Sequence, residues 1–171
     1  MNRYFSWWSE INFKEDKKGD IWISGTKGGL KRFDGEEGEF KHYKYDPGNK
    51  NGLRQELNVS VRVDKNDSSW VSTWGGGLCK LLDEEKGIFR QYVNDPENPN
   101  SILSDRLEQV YVEENGDLWV LGESGFSKYN YESDDFTAFK IPFDPEPYSY
   151  ENILLKMSQD ESGIMWMVSE N

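Results

Sequence analysis

Tryptophan recurs in this chain at a nearly constant interval. Trp22, Trp70, Trp119 and Trp166 are separated by 48, 49 and 47 residues, and an acidic residue stands six positions before each of them. Self-similarity at a fixed period indicates that each copy is one supersecondary unit, which needs neighbours stacked beside it to bury its apolar face. The sequence therefore predicts a repeat protein, with the four tryptophans in its core.

Each copy is predicted to contain four short β-strands. Before the acid, side chains alternate between apolar and polar, as in 59–63 and 109–112, and a period of two is typical of a strand. The segment around each Trp is rich in aromatic and β-branched residues, which favour a second strand. Third and fourth strands follow glycine-containing turns, for example at 30–33 and 40–43. Only the stretch 101–110 has a spacing compatible with a short helix.

Tight turns are predicted between the first and second strands. Asp16 and Gly19 show the pattern, because Asp can bond its own backbone downstream and Gly adopts a positive φ without steric cost. In the second copy Asp67 replaces the glycine, and Asp is one of the few side chains that tolerate this conformation. Asp64, Asn66 and Asp67 also alternate like the ligands of a calcium loop, but no Glu follows at the required distance, which favours a turn.

Four short antiparallel strands per copy predict one blade of a β-propeller, with a β-sandwich as the less favoured alternative. The predicted fold class is all-β, with about three and a half blades, or half of a seven-bladed ring. We expect a single partial propeller domain over 1–171, with blade repeats at approximately 10–57, 58–107, 108–154 and 155–171.

The repeat resembles that of the two-component regulator propellers. The resemblance rests on the phrase at 16–34, with its Ile-Trp-Ile, Gly-Gly-Leu and Arg-Phe-Asp elements, followed by Phe-x-x-Tyr at 40–43 and Asp-Pro-x-Asn at 46–49. The second copy matches nearly as well, and the third matches more weakly. In that family such repeats build the periplasmic sensor region of hybrid two-component regulators of gut Bacteroidetes, which respond to polysaccharide fragments. The resemblance thus implies a periplasmic sensor without naming its ligand.

Composition excludes several classes of function. The net charge is −12, with 32 acidic against 20 basic residues, so nucleic acid would be repelled. No apolar run approaches the length of a membrane span, and the first residues lack the pattern of a signal peptide, so we expect any export signal to lie upstream or to have been removed. Cys79 is the only cysteine, which we expect to be buried in a third strand, and it leaves the redox compartment undecided.

Catalysis finds little support in the sequence. His42 is the only histidine, which removes multi-histidine metal sites, and we expect it to be a surface residue of a fourth strand. Neither a nucleophile elbow nor a phosphate-binding glycine loop occurs. The carboxylates recur with the turns, which favours a structural role. We therefore expect no enzymatic activity, no cofactor and no metal, and a carbohydrate-active enzyme is the least favoured function.

Ligand binding is predicted on one face of the propeller. In a four-stranded blade the turn between the second and third strands and the connector to the next blade emerge on the same face. Trp74 stands out there, because an indole inside a glycine turn can present an apolar face to a sugar ring; its alternative role is to cover a neighbouring blade. The predicted ligand-binding residues are Trp74, Lys27, Glu123, Asn98, Tyr148 and Tyr150, with Asn49 in an equivalent connector.

Half a ring is expected to leave two open edges rich in Trp, Phe and Val, which would invite pairing with another chain. We expect either a homodimer of half-rings or the remainder of a longer sensor chain to close the ring. The segment 3–8 is predicted to complete a blade or, equally, to pack over a core. Two functional hypotheses follow: a sensor that binds an oligosaccharide, and a scaffold that assembles propeller halves without a small ligand.

Overall fold

The computed structural model describes residues 11–25, 28–141 and 154–169. In these ranges the chain contains no helix, and hence none with the length and hydropathy needed to cross a bilayer. The helical alternative for 101–110 is wrong, because its first residues form bends and a β-strand begins at Leu107. The all-β fold class is confirmed.

The described residues form fourteen strands in four antiparallel sheets. The first sheet contains β1 (Asn12–Glu15), β2 (Ile21–Ser24), β3 (Leu30–Phe33) and β4 (Phe40–Tyr43). The second contains β5 (Asn58–Val63), β6 (Ser69–Thr73), β7 (Gly77–Asp83) and β8 (Ile88–Tyr92). The third contains β9 (Leu107–Val112), β10 (Leu118–Gly122), β11 (Gly125–Asn130) and β12 (Asp135–Lys140). The fourth contains β13 (Leu154–Gln159) and β14 (Met165–Ser169). Strands pair in chain order within each sheet, which is the arrangement of three and a half propeller blades.

Successive blades pack face to face. The first strands of neighbouring blades contact one another, β1 with β5, β5 with β9 and β9 with β13. The second strand of each blade also contacts the first strand of the next. The first strand of each blade is therefore innermost, next to the propeller axis, and the fourth strand is outermost.

The apolar core lies between the blades. Between the first and second blades the buried residues are Trp22, Leu30, Tyr43, Leu53, Val61, Val71, Cys79 and Phe89. Between the second and third blades they are Trp70, Leu78, Tyr92, Ile102, Leu107, Val110, Leu118, Val120, Tyr129 and Phe136. Between the third and fourth they are Leu121, Leu154 and Met157. Each blade thus depends on its neighbours for burial, as expected for a repeat protein.

The four repeat tryptophans differ in burial. Trp22 is 2% exposed and Trp70 is fully buried, as predicted. Trp119 is partly buried against the two-stranded fourth sheet. Trp166 is 60% exposed, so its predicted place in the core is wrong. Trp166 is exposed because no sheet formed by the described residues packs against the side of the fourth blade that carries this indole.

The end blades expose large apolar side chains, and β14 has only β13 as a hydrogen-bonded neighbour among the described strands. On the first blade Phe13 is 62% and Phe40 is 56% exposed, and on the last blade Val168 is 58% exposed. Propeller blades bury their faces against one another, so an end blade presents a face to solvent. On the outermost strand of the second blade, the Phe89 N–H donates to the Asn51 carbonyl of the preceding connector at 2.7 Å.

Cys79 is completely buried on β7, as predicted. Burial raises the pKa of its thiol to about 11. The side chain therefore acts as a small apolar group in the core between the first and second blades.

Candidate functional site

One arrangement recurs at the turn before each repeat Trp. The indole N–H donates to a carboxylate oxygen of the acid six residues earlier. The pairs are Trp22 with Asp16 at 2.8 Å, Trp70 with Asp64 at 2.8 Å, Trp119 with Glu113 at 2.5 Å and Trp166 with Asp160 at 2.8 Å. The constant spacing of six was the sequence signal for this bond, but the spacing alone had indicated only a turn.

The acid also holds the turn itself. The second oxygen of Asp64 accepts the backbone N–H groups of Asn66 and Ser68, both at 2.9 Å. Asp67 lies at φ 63°, the left-handed conformation predicted for it. Because both carboxylate oxygens of Asp64 are engaged by N–H donors, this segment is a turn and the calcium-loop alternative is not supported.

A glycine at the start of each third strand allows close approach to the fourth strand. Gly77 has φ 75°, and a Cβ at this position would lie 2.3 Å from the Tyr92 carbonyl oxygen. Gly29 and Gly125 occupy the equivalent positions, where a Cβ would lie 2.1 and 2.2 Å from the facing carbonyl oxygens. These glycines set the conformation of the turn between the second and third strands of each blade. In the second blade this turn contains Trp74, one of the predicted ligand-binding residues.

Trp74 lies in the turn between β6 and β7 and is partly buried. Its backbone forms an isolated antiparallel bridge with Arg106, in the connector that leads to the third blade. Gly75 donates its N–H to the carbonyl of Asp105 in the same connector, at 2.9 Å. The turn and the connector therefore meet on one face of the propeller, as the topology predicted.

Glu123 lies in the next equivalent turn, between β10 and β11. Its backbone N–H donates to the Arg106 carbonyl at 3.2 Å, and its carboxylate lies 3.7 Å from the Arg106 guanidinium. The side chains of Arg106 and Glu123 are 55% and 42% exposed. Arg106 thus joins two predicted residues, Trp74 and Glu123, into one group, which we call the rim cluster. Sequence reasoning missed Arg106, because its contacts with the two turns depend on how the second and third blades align.

The surface beside Glu123 is a shallow depression that is open to solvent. Leu103, Ser104 and Gly122 line it together with Glu123. It does not enclose a volume that could surround a small ligand.

Asn98 occupies a different environment. Its side-chain oxygen accepts the Asn100 N–H at 3.0 Å, and Asn49 forms the same bond with Asn51 at 3.0 Å. The Asn100 carbonyl in turn accepts the N–H of Phe136 on the outermost strand of the third blade, at 2.9 Å. The structure thus places Asn98 in a connector turn, and no described contact joins it to the rim cluster. Its role in ligand binding stays a prediction.

Three further predicted residues, Lys27, Tyr148 and Tyr150, lie outside the described residues. The segment 3–8 also lies outside them. The ligand-binding role of these side chains and the blade-completing role of that segment remain predictions.

A dense polar network links the outer parts of the second and third blades. The Tyr92 and Tyr129 hydroxyls both donate to Asp134, at 2.5 and 2.6 Å, and Arg90 pairs with its other oxygen. Burial raises the pKa of Asp134, but the hydrogen bonds from Tyr129 and Tyr92 and the charge of Arg90 lower it, and the net shift is downward. Burial, and then the bond to Asp134, raises the pKa of Tyr92. The phenol and the carboxylate therefore keep their usual charge states, and the network serves blade packing.

The other candidates for chemistry are dispersed. His42 is exposed on β4, with its ring edge-to-face with Phe40 at 6.4 Å between centroids. Within the part of the chain that the structure describes, no group of three or more His, Cys, Asp or Glu side chains is arranged to hold a metal ion.

No protein-family model matches the chain, and no curated protein matches it. Several solved structures, however, are similar to it. The extracellular domain of the putative hybrid two-component system BT3049 from B. thetaiotaomicron has a TM-score of 0.75 and 22% identity, over 93% of this chain and 22% of that one. The extracellular domain of the putative hybrid two-component system BT4673 from the same organism has a TM-score of 0.67 and 25% identity, over 94% of this chain and 22% of that one.

A second structure of the BT4673 extracellular domain, described as a putative one-component system, has a TM-score of 0.65 and 25% identity, over 92% of this chain and 21% of that one. This chain therefore spans 21–22% of the length of these three chains. Over nearly its whole length it is similar to part of the extracellular domains of putative Bacteroides two-component systems, the class that its repeat resembles.

Proposed function

We propose that this chain is a non-catalytic, ligand-sensing segment of a propeller in the extracellular or periplasmic part of a two-component regulator, and that its ligand is an oligosaccharide. The likeness to the extracellular domains of BT3049 and BT4673 supports the sensor class. The rim cluster carries the proposal for the ligand, because the Trp74 backbone bridges to that of Arg106, whose exposed guanidinium lies 3.7 Å from the exposed carboxylate of Glu123.

The chemistry of the rim cluster suits a sugar. A pyranose ring has apolar C–H faces, which an indole such as that of Trp74 can cover, and hydroxyls that need both donors and acceptors. Arg106 supplies donors and Glu123 supplies acceptors. Their separation of 3.7 Å is longer than a hydrogen bond, so both groups keep capacity for hydroxyls of a ligand.

The location of the rim cluster offers a route for a signal. Trp74 belongs to the second blade, Glu123 to the third, and Arg106 to the connector between them. A ligand that contacts all three would favour one packing of the two blades over another. Differential affinity of this kind is what shifts a conformational equilibrium, here toward a state read by a regulator outside this chain.

The experiment is a titration of the purified chain with a broad panel of oligosaccharide fragments, followed by thermal unfolding and tryptophan fluorescence. A specific ligand at 100 times its Kd should raise Tm by about 5–10 °C for a chain of this size. Trp74→Ala and Glu123→Gln should remove this shift. Trp166→Ala, which removes an exposed indole away from the rim cluster, should leave it unchanged.

Indifference of the chain across a broad panel would contradict the oligosaccharide proposal, as would a thermal shift that survives both rim substitutions. Formation of a product from any glycan would contradict the non-catalytic part of the proposal.

The second candidate function is a scaffold that assembles propeller halves without a small ligand. The observation in its favour is the exposed apolar faces of the first and last blades. An assembling chain that no oligosaccharide stabilises would favour this function over the sensor.

A further inference from the structure

The first strand of each internal blade has one edge that faces the propeller axis, which we call its inner edge. Among the described strands, β9 pairs only with β10, so its inner edge has no strand beside it. At the end of β9 the Glu113 N–H donates to the Asp117 carbonyl, on the side of β10, at 2.9 Å. Backbone groups alternate in direction along an antiparallel strand, so the N–H groups of Val112 and Val110 point to the inner edge. An acceptor for them has to come from another blade or from a ligand.

Between the third and fourth blades, side chains supply these acceptors. The Gln109 side-chain oxygen on β9 accepts the Met157 N–H of β13 at 2.7 Å. The Tyr111 hydroxyl accepts the Gln159 N–H of β13 at 3.2 Å. The inner-edge N–H groups of the fourth blade are therefore bonded by side chains of the blade before it.

Between the second and third blades, donors occupy the same positions. Ser60 and Arg62 precede the repeat Trp of their blade by ten and eight residues, as Gln109 and Tyr111 do in the third blade. Arg62 has no acceptor atom in its side chain, so it cannot bond the Val112 N–H as Tyr111 bonds the equivalent group. Ser60 is 2% exposed, and its hydroxyl has no hydrogen-bond partner among the described residues. Donors thus collect at this inner edge without an acceptor for them.

Arg62 also has no counter-charge. Its guanidinium donates to the Val61 carbonyl at 2.8 Å, and no ion pair among the described residues includes it. Arg32, which is also partly buried, pairs with three carboxylates. Burial lowers the pKa of Arg62, with no described carboxylate to offset the shift. Because a partly buried cation without a partner is unfavourable, this place favours a negatively charged group.

We propose that Arg62, the Val112 N–H and the Ser60 hydroxyl bind an oxyanion, the sulfate or carboxylate group of a ligand, at the inner edge between the second and third blades. An oxyanion has the acceptor oxygens and the negative charge that this edge lacks, and a guanidinium can bind two of its oxygens at once. Arg62 lies near the end of β5 that leads to the turn before β6, whereas the rim cluster lies beyond the other end of β6. The site is therefore separate from the rim cluster and does not depend on its ligand.

The first experiment is an NMR titration of the purified chain with sodium sulfate at constant ionic strength. The amide resonances of Val110 and Val112 should shift and saturate. Those of Met157 and Gln159 should stay in place, because protein side chains already accept their N–H groups. Absence of a saturable shift at Val112, or an equal shift at Gln159, would overturn the proposal.

The second experiment compares two variants that lose the same charge. Arg62→Gln should weaken sulfate binding by about tenfold or more, because it removes a charged hydrogen-bond donor. Arg54→Gln, which replaces an exposed arginine in the connector before β5, should bind like the wild type. Wild-type affinity in a folded Arg62→Gln chain, or an equal loss in Arg54→Gln, would overturn the site.

The third experiment gives the second blade the acceptor of the third. In Arg62→Tyr the new hydroxyl should accept the Val112 N–H, as Tyr111 accepts the N–H of Gln159. Hydrogen exchange at Val112 should then be slow without sulfate, whereas in the wild type it should slow only when sulfate is added. A folded Arg62→Tyr chain that binds sulfate with wild-type affinity would overturn the proposal.

The source of the oxyanion is tested with small sugars. Glucose 6-sulfate and glucuronate are titrated beside inorganic sulfate, with glucose as the neutral control. Tighter binding of a charged sugar than of inorganic sulfate would assign the site to a substituent of a larger ligand, and equal binding would assign it to the free ion. Both outcomes support the site, whereas a Val112 shift produced equally by glucose would contradict it.

Discussion

The second and the fourth blades contain the same local arrangement in opposite surroundings. In both, the indole N–H donates to the acid six residues earlier at 2.8 Å. Yet Trp70 is fully buried, whereas Trp166 is 60% exposed. The comparison shows that two effects have different origins. Residues within each repeat form the turn and hold the indole, whereas the following blade buries the indole. The bond between the indole and the acid therefore forms whether or not a following blade covers the indole.

The largest expected difference comes from removing the indole itself. Trp70→Ala should lower the free energy of unfolding by about 4 kcal/mol, because it leaves a cavity in the core shared with Tyr92 and Tyr129. Trp166→Ala should cost less than about 1 kcal/mol, because an exposed side chain leaves no cavity. Urea unfolding of both variants measures the difference. Equal losses would break the comparison, since the fourth blade would then be covered in solution.

Removing the acid should have the next largest effect. Asp64 is 3% exposed and accepts N–H groups from Trp70, Asn66 and Ser68. Asp64→Ala should cost about 2–3 kcal/mol, because it leaves a buried indole N–H without a partner. Asp160→Ala in the exposed blade should cost clearly less, since water can replace the carboxylate there.

Denaturant unfolding of the two Asp variants checks this order, with Asp64→Asn as the conservative control that keeps one acceptor. If Asp160→Ala proved as costly as Asp64→Ala, the stability of the turn would not depend on burial.

A smaller contrast is expected at the glycines. Gly77→Ala should cost about 2 kcal/mol, because the residue has φ 75° and the new Cβ would lie 2.3 Å from the Tyr92 carbonyl oxygen. Gly163→Ala should cost about 1 kcal/mol, from its φ of 85° alone, since its nearest neighbour would be 3.8 Å away. Thermal unfolding distinguishes the two. Similar shifts in Tm would show that the close approach to the fourth strand is relieved by movement of that strand.

The smallest expected effect concerns the ionisation of Asp160, in the exposed turn of the fourth blade. Hydrogen bonds from the Ser162 hydroxyl and the Trp166 indole lower the pKa of Asp160 to about 2. The folded chain thus favours the ionised carboxylate, so its contribution to stability is present above the ordinary carboxyl pKa and is lost as the pH falls toward 2. NMR titration should find this low value, and Ser162→Ala should raise it. An ordinary pKa in the wild type would mean that the turn needs a covering blade.

The strands and turns could be predicted from the sequence because they depend on contacts within one repeat. The alternation before Trp70 and the Asp64 turn mark their elements without reference to any other blade. Arg106 and the network of Tyr92, Tyr129 and Asp134 could not be predicted, because they depend on how two blades align. The exposure of Trp166 was missed for the same reason: periodicity identifies equivalent positions but does not show which of them has a neighbour.

The connectors have a consequence for biosynthesis. Asn51, which covers the outer edge of β8 through Phe89, is translated well before β8, and Asn100 likewise precedes Phe136 of β12. When each of these outer strands leaves the ribosome, the connector residue that will accept one of its backbone N–H groups is already available. A nascent chain built in this order does not have to wait for later residues to protect these strands from pairing with other polypeptides.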